Sequence, residues 1–221
     1  MSTPFVVMKF GGTSVASAER WLTIKRLAQE RCAQGEHPVI VCSAISGVSN
    51  LLDTLGQAAL ERMHVDVLNQ IKTLHLDLIS ALGLEHTWLE EAMSPLRQLS
   101  EGIALVGEIS PRIKARIMSA GELLSTRIGH QYLALHNLDA QRIDIRDYLT
   151  TQDGSGPSHW LSGVCGDEYD AKLVTALKRN AVTITQGFIA RSHDGDTVLL
   201  GRGGEWQRWV SRRLCDYLEP Q

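Results

Sequence analysis

The sequence of 221 residues predicts an α/β fold, in which helices form layers on a mainly parallel sheet. The first observation is a strand–helix–strand order, with apolar runs over 5–10 and 38–44 on either side of an amphipathic segment over 17–34. The second is another pair of apolar, β-branched runs over 181–190 and 197–200. A strand–helix–strand unit of this length favours parallel pairing of its two strands.

Hydrophobic periodicity and breaker residues place the remaining elements. Helices are predicted over 51–62, 65–82, 87–106, 119–136 and 169–179, a short strand over 140–145, and a loop over 150–166. The segment 111–118 is helical or irregular by its pattern. The length suits one domain with a substantial core, or at most two small ones.

The composition bounds the classes of function. Hydrophobic residues make up 43% of the chain, charged residues make up 21%, and the net charge is -3. This balance is typical of a globular protein and lacks the basic footprint of a nucleic-acid partner. No apolar run reaches the roughly 18–20 residues of a membrane span, and the N-terminus does not resemble a signal peptide.

The cysteines predict neither a metal site nor a disulfide framework. Cys32, Cys42, Cys165 and Cys215 form no CxxC pair, and the histidines are scattered. Reduced thiols with a structural role suit a cytoplasmic protein, so a cytoplasmic location is expected.

A glycine-rich loop follows the first predicted strand, where residues 9–14 read KFGGTS. Glycines let the backbone approach an anion, and a helix beginning after the loop would direct its N–H groups and dipole at a phosphate. Thr13 and Ser14 add hydroxyl donors, and Lys9 could neutralise charge on a transferred phosphoryl group. The spacing matches neither the Walker loop nor the dinucleotide-binding fingerprint. The alternative is an ordinary strand-to-helix turn with a surface lysine.

A second polar loop over 43–50 follows the second predicted strand. Ligands collect at the carboxyl ends of strands in open parallel sheets, so both loops should face one crevice. The hydroxyl and amide side chains of this loop can hydrogen-bond a polar substrate. The alternative is helix capping, with Ser49 or Asn50 as the N-cap of the helix predicted from Leu51.

A third segment begins the helix predicted from Ser119. Ser119 and Glu122 match the S-x-x-E capping box, in which the glutamate bonds back to the N–H of the cap residue. In the functional interpretation, Glu122 at a helix start holds a substrate ammonium group. The two uses compete for the same carboxylate.

The fourth segment, over 201–204, follows the last predicted strand and therefore a further carboxyl end. Arg202 has a glycine on either side. A guanidinium suits bidentate capture of a carboxylate. The alternative is a flexible loop with a solvated arginine.

Together, and in this order, the four segments resemble the signature of the aspartokinases, with TQGFI over 185–189 as a further match. These kinases of the amino-acid kinase superfamily phosphorylate the side-chain carboxylate of L-aspartate with ATP. The resemblance covers 5–204 and implies a three-layer α/β sandwich with a mainly parallel sheet, the amino-acid kinase (carbamate kinase-like) fold. It also implies the product 4-phospho-L-aspartate, the first intermediate towards lysine, threonine and methionine, Mg²⁺ bound through the nucleotide, and a homo-oligomer at full length.

The resemblance implies a role for each matching residue. Lys9 would stabilise the transferring phosphoryl group, and ATP phosphates would be bound by Lys9, Gly11, Gly12, Thr13 and Ser14. Ser49 stands where the family usually has a threonine that contacts aspartate. Glu122 would hold the aspartate ammonium group, and Arg202 with Gly203 would bind a substrate carboxylate. A kinase of another acidic metabolite, or of carbamate, is the alternative within the superfamily.

The resemblance breaks after Gly204. The family continues with Ser-Asp, whereas this chain has Glu205 and Trp206. Residues 1–204 are therefore expected to form the N-terminal portion of the kinase domain, incomplete at its C-terminus, and 205–221 a tail unlike the family. The hypothesis is a frameshift or a truncated reading frame. The alternative function is a catalytically inactive fragment that at most binds substrate or a full-length partner, with an unpaired sheet edge that favours self-association.

Overall fold

The computed structural model describes residues 4–152, 154, 156–166 and 170–201. The strands are β1 (Phe5–Phe10), β2 (His37–Cys42), β3 (Ala140–Arg142), β4 (Val182–Gln186), β5 (Ile189–Arg191) and β6 (Thr197–Leu199). The helices are α1 (Ala18–Ala33), α2 (Val48–Leu60), α3 (His64–Ala81), α4 (Leu89–Val106), α5 (Pro111–Leu135), α6 (Pro157–Leu161) and α7 (Ala171–Leu177). Within the described ranges, every helix is too short or too polar to span a bilayer.

The main sheet has the order β1-β2-β4-β3, and all its strands run parallel. Phe10 pairs with Cys42, and Cys42 pairs with Gln186. The carboxyl ends of β1, β2 and β4 are therefore level with one another. The loops that follow these three strands meet at one edge of the sheet, which is where ligands bind in such folds.

The central strand β2 divides the core into two halves. Ile40 and Cys42 belong to a large apolar cluster with the helices α1 to α5, whereas Val39 and Val41 belong to a second cluster with α7 and β5. Alternation of this kind follows from the two-residue period of a strand buried on both faces. The result is three layers around a parallel sheet, which confirms the predicted α/β fold class.

The long helix α5 begins earlier than predicted. The Ser110 side chain accepts a hydrogen bond from the N–H of Ile113 (3.2 Å), and Pro111 occupies the first turn. Both residues favour a helix start at this point. Ser119 and Glu122 lie in the helix interior, and the Ser119 hydroxyl donates to the carbonyl of Arg116 (2.8 Å). The capping-box interpretation of Ser119 and Glu122 is therefore wrong.

The apolar run over 181–190 predicts a single strand but forms two. It breaks at Gly187 and Phe188 between β4 and β5, and β5 pairs antiparallel with β6 in a separate sheet. The strand that leads to Gly201 thus does not belong to the parallel sheet, contrary to the prediction. The described structure ends at Gly201, so the predicted division at Gly204 stays a prediction.

Smaller differences concern the segments that follow β3 and Tyr148. β3 ends at Arg142, and the last residue of the predicted strand, Ile145, begins a short 3-10 turn over Ile145–Asp147. The predicted loop over 150–166 contains the short helix α6. These changes do not alter the layers.

Candidate functional site

The glycine-rich loop lies directly against the loop after β2. A Cβ atom on Gly12 would lie 2.8 Å from the carbonyl oxygen of Ala44 and 3.3 Å from the backbone nitrogen of Ser46. The Ser46 N–H donates to the carbonyl of Gly12 (3.2 Å), and the Ser43 N–H donates to the carbonyl of Phe10 (3.1 Å). A glycine at position 12 therefore allows the two backbones to approach and holds both loops at the same sheet edge.

The residues after Gly11 form a short 3-10 helix over Gly12–Val15 before α1 begins. Thr13 is exposed, and Ser14 is half-buried. The N–H of Ser14 donates to the carbonyl of Gly11 (2.9 Å), so this amide is used within the turn. The hydroxyl groups of Thr13 and Ser14 remain as side-chain donors of this loop.

Ser49 lies in the first turn of α2 and is exposed. The helix begins at Val48, and its N-cap is Gly47, whose φ of 87° is in the left-handed region that favours glycine. The interpretation of Ser49 or Asn50 as the N-cap of a helix from Leu51 is therefore wrong. Ser49 thus directly follows the loop that leaves the carboxyl end of β2.

Glu122 of α5 is the acidic group at this edge. Its side chain is only 6% exposed, and its Oε2 atom accepts hydrogen bonds from the N–H groups of Gly187 (3.0 Å) and Phe188 (2.9 Å). Burial raises the pKa of Glu122 to about 7, and the two backbone bonds and the charge of Lys9 oppose that rise. The carboxylate therefore holds the backbone turn that separates β4 from β5.

Lys9 lies near the end of β1 and faces the same turn. Its Nζ atom is 5.6 Å from the centroid of the Phe188 ring, within the range of a cation–π contact. Lys9, Glu122, Gly187 and Phe188 thus form one group, which we call the Lys9–Glu122 cluster. It places a cation and a buried carboxylate beside the glycine-rich loop.

Buried hydrogen bonds connect the end of β4 to the helix that carries Glu122. Gln186 donates through Nε2 to the Thr126 hydroxyl (3.0 Å), and its Oε1 accepts from the N–H of Ile145 (3.0 Å). The Thr126 hydroxyl in turn donates to the carbonyl of Glu122 (2.8 Å). Burial raises the pKa of the Cys42 thiol, and the nearby charge of Glu122 raises it further. These bonds fix the end of β4 against α5.

The structure thus brings Lys9, the glycine-rich loop, Ser49 and Glu122 to one sheet edge. Arg202 and Gly203 lie outside the described residues. Sequence reasoning assigns no role to Gly187 and Phe188, although both lie in the TQGFI motif. A glycine inside a β-branched run is the signal that could have indicated a break and a close backbone approach.

Comparisons with known proteins show the family of this chain. The model of the amino acid kinase family matches residues 4–205. Aspartokinase 1, chloroplastic, from Arabidopsis thaliana is 33% identical over 214 residues, which cover 90% of this chain and 36% of that protein. Lysine-sensitive aspartokinase 3 from Escherichia coli is 30% identical over 204 residues, which cover 90% of this chain and 44% of that protein. The chain therefore spans less than half the length of these relatives.

Solved structures resemble the chain as well. Escherichia coli aspartokinase III in complex with aspartate and ADP (R-state) matches with a TM-score of 0.82 and 26% identity, over 96% of this chain and 47% of that one. The complex of that enzyme with lysine and aspartate (T-state) gives a TM-score of 0.70 at 26% identity, over 92% of this chain and 45% of that one. The family resemblance inferred from the motifs is confirmed. This chain belongs to the amino acid kinase family, and the relatives that it matches there are aspartokinases.

Proposed function

We propose that the chain supplies the aspartate- and phosphate-binding part of an aspartate kinase. The reaction is transfer of the γ-phosphoryl group of ATP to the side-chain carboxylate of L-aspartate, which gives 4-phospho-L-aspartate and ADP. The observation that carries the proposal is the Lys9–Glu122 cluster, a cation and a buried carboxylate beside a glycine-rich loop at the carboxyl edge of a parallel sheet. The similar Escherichia coli structure is a complex with aspartate and ADP.

The transfer step needs positioning and charge stabilisation more than acid–base chemistry. A carboxylate oxygen of aspartate attacks the γ-phosphorus, and the bond from phosphorus to the bridging oxygen of ADP breaks. The attacking carboxylate is already ionised at neutral pH, so no general base is required. Lys9 neutralises charge on the transferring group, and the loop of Gly11, Gly12, Thr13 and Ser14 orients the phosphates.

Magnesium would be bound mainly by the nucleotide phosphates. No group of three or more His, Cys, Asp or Glu side chains comes together as a metal site among the described residues. Hydroxyl oxygens of Thr13 and Ser14 are the hard donors that the loop offers, which suits a cation that keeps several waters and phosphate oxygens. When bound, the ion neutralises phosphate charge.

Glu122 would bind the aspartate ammonium group. Oε2 already accepts two backbone bonds, so the ammonium group would meet the other oxygen, Oε1. With a pKa of about 7, Glu122 is partly protonated at neutral pH, and a bound cation favours its ionised form. Binding of aspartate at neutral pH is therefore accompanied by release of part of a proton from Glu122.

The remaining contacts to aspartate come from side chains that the family signature implies. The hydroxyl of Ser49 would hydrogen-bond the substrate, and Arg202 with Gly203 would bind a carboxylate. A homo-oligomer and a cytoplasmic location belong to the same proposal. Plant relatives such as aspartokinase 1 carry the word chloroplastic in their names.

A second candidate function is binding of substrate without transfer. It is favoured by Glu205 and Trp206, which stand where the family has Ser-Asp. The aspartate that organises the reaction centre in the family is then absent at this position, while the Lys9–Glu122 cluster is retained.

Trapping the acyl phosphate with hydroxylamine tests the proposal. The chain is incubated with ATP, Mg²⁺ and aspartate, and the hydroxamate is measured alongside a calorimetric titration of aspartate. We expect hydroxamate that depends on ATP and is lost in Lys9→Met but retained in Lys25→Met, the matched charge control on α1. Aspartate binding without hydroxamate would support the second candidate. Absence of both would overturn the proposed function.

A further inference from the structure

α5 also lines a cavity of about 270 Å³ that is separate from the Lys9–Glu122 cluster. Its basic lining residues are Arg116, Arg127, Arg142 and Arg146, and its apolar lining includes Leu96, Leu99, Leu123 and Leu124. We call this cavity the arginine groove. It combines several guanidinium groups with a leucine-rich surface.

The positive charges of the arginine groove are only partly compensated. Arg146 forms a fork with Asp144, with Nε at 2.9 Å from Oδ1 and Nη2 at 2.5 Å from Oδ2. Arg116, Arg127 and Arg142 form no salt bridge with any residue that the structure describes. The groove therefore keeps a net positive charge.

The guanidinium groups are close enough to act on one another. The pKa of Arg142 is lowered by desolvation first, the charge of Asp144 opposes this shift, and the charges of Arg127 and Arg146 add to it. Arg127 lies with its Cζ atom 4.4 Å from the centroid of the Trp88 ring, which holds that cation in place. An anion in the groove would relieve this repulsion.

The apolar surface and the size of the groove restrict the ligand. Leucine side chains favour a ligand with a short apolar part, because its burial removes apolar area from water. Ligand sites for drug-sized molecules span roughly 300–1,000 Å³, so a cavity of about 270 Å³ suits a smaller molecule. Guanidinium groups bind phosphate and carboxylate through paired N–H donors, and two or three of them match a double negative charge.

We infer that the arginine groove binds a small organic dianion, a phosphate monoester with a short apolar group. This site differs from the proposed kinase site. Ser119 and Leu123 of α5 line the groove, whereas Glu122 is bonded to the turn at Gly187 and Phe188. The inference does not depend on the proposed function.

Phenyl phosphate is the probe that tests this inference, with amide signals of the isotope-labelled chain followed by NMR. We expect saturable shifts in α5 and β3 around Arg127 and Arg142. Affinity should fall about a hundredfold in the double variant Arg127→Gln/Arg142→Gln, because two charge-assisted contacts of about tenfold each are lost. Inorganic phosphate and phenol should each bind more weakly than phenyl phosphate, since each supplies only one of the two contacts.

Two further variants distinguish binding in the groove from non-specific attraction and from binding at the kinase site. Arg26→Gln on α1 removes one guanidinium charge outside the groove, as Arg116→Gln does inside it, and should leave affinity unchanged. Lys9→Met should also leave it unchanged. If Arg26→Gln weakens the affinity for phenyl phosphate as much as a groove variant does, the attraction is non-specific. If Lys9→Met abolishes that affinity, the probe binds at the kinase site. Either result overturns the inference. If the double variant fails to fold, Arg116→Gln alone should still weaken binding, and unchanged affinity there overturns the inference as well.

Discussion

Two regions that share α5 differ in the burial and pairing of their charged side chains. In the Lys9–Glu122 cluster, a carboxylate is buried and two backbone N–H groups fix its position. In the arginine groove, Arg116 and Arg142 stay exposed and have no salt-bridge partner among the described residues. A buried charge with fixed partners affects folding stability as well as ligand binding. An exposed charge can bind a ligand with little effect on stability.

Removal of the Glu122 carboxyl group should give the largest effect. Glu122→Ala leaves the amides of Gly187 and Phe188 buried without an acceptor, which costs on the order of 2–4 kcal/mol of folding free energy. Glu122→Gln keeps an oxygen acceptor, so it should be more stable than Glu122→Ala and close to the wild type below about pH 4.5, where Glu122 is protonated. Urea denaturation of both variants measures this difference. Equal stability of the two variants would show that the carboxyl group does not hold the turn.

The pH dependence of stability should come next in size. The folded-state pKa of Glu122 is about 7 against an ordinary value of 4.5, so the folded state binds more protons than the unfolded state between these values. The contribution of Glu122 to stability is therefore present below about pH 4.5 and is lost as the pH rises through about 7. The slope for one proton is at most about 1.4 kcal/mol per pH unit.

The variant Glu122→Gln supplies the control for that measurement. Buried His75 has a lowered pKa, mainly through desolvation, so its effect has the opposite sign and stability falls as the pH drops below about 6.5. His75 is present in both proteins and cancels in the difference. A difference in unfolding free energy that does not change between pH 5 and 8 would contradict the burial of an ionisable Glu122.

A matched pair of glycine substitutions tests how tightly α5 packs at the site. A Cβ atom on Gly121 would lie 2.6 Å from the Cβ of Ala44 and 3.0 Å from Leu52, so Gly121→Ala should destabilise by about 1–3 kcal/mol. Gly102 in α4 has no atom within 4 Å of the corresponding position, and Gly102→Ala should stabilise by about 0.5–1 kcal/mol. Thermal unfolding of both variants distinguishes these signs, and a neutral Gly121→Ala would show that this contact is loose.

The smallest effect is expected in the arginine groove. Arg142→Gln removes a cation that is repelled by Arg127 and Arg146, so stability should stay within about 0.5 kcal/mol of the wild type, and the relief of repulsion favours a gain over a loss. Urea denaturation at low and high salt measures it. A loss of more than about 2 kcal/mol would mean that Arg142 supports the fold, and the contrast between the two regions would then fail.

Much of the fold could be predicted, because strands and helices in this chain carry strong local patterns. The apolar runs of β1 and β2 with the amphipathic α1 between them predict the parallel unit. The start of α5 is harder to place, because Ser119 and Glu122 fit a local capping pattern while Ser110 and Pro111 supply the actual cap. Local patterns alone do not show which of two possible caps begins the helix.

The candidate site was predictable only where one segment carries its own chemistry. Lys9 and the glycine-rich loop stand out in the sequence for their residue types. The partners of Glu122 are the backbone amides of Gly187 and Phe188, which are 65 and 66 residues away in the sequence. Every residue except proline has such an amide, so the sequence does not identify these two as partners. The arginine groove is hard to predict for the same reason, because Arg142 reaches Arg116 and Arg127 of α5 only in the folded chain.

The most direct test of the central claim is a calorimetric titration of the wild-type chain with L-aspartate at pH 7, in two buffers that differ in ionisation enthalpy. If Glu122 binds the ammonium group, aspartate binds with release of part of a proton, the release declines towards pH 8.5, and Glu122→Gln loses most of the affinity. Binding without proton release, or an unchanged affinity in Glu122→Gln, would contradict the assignment of the Lys9–Glu122 cluster as the aspartate site.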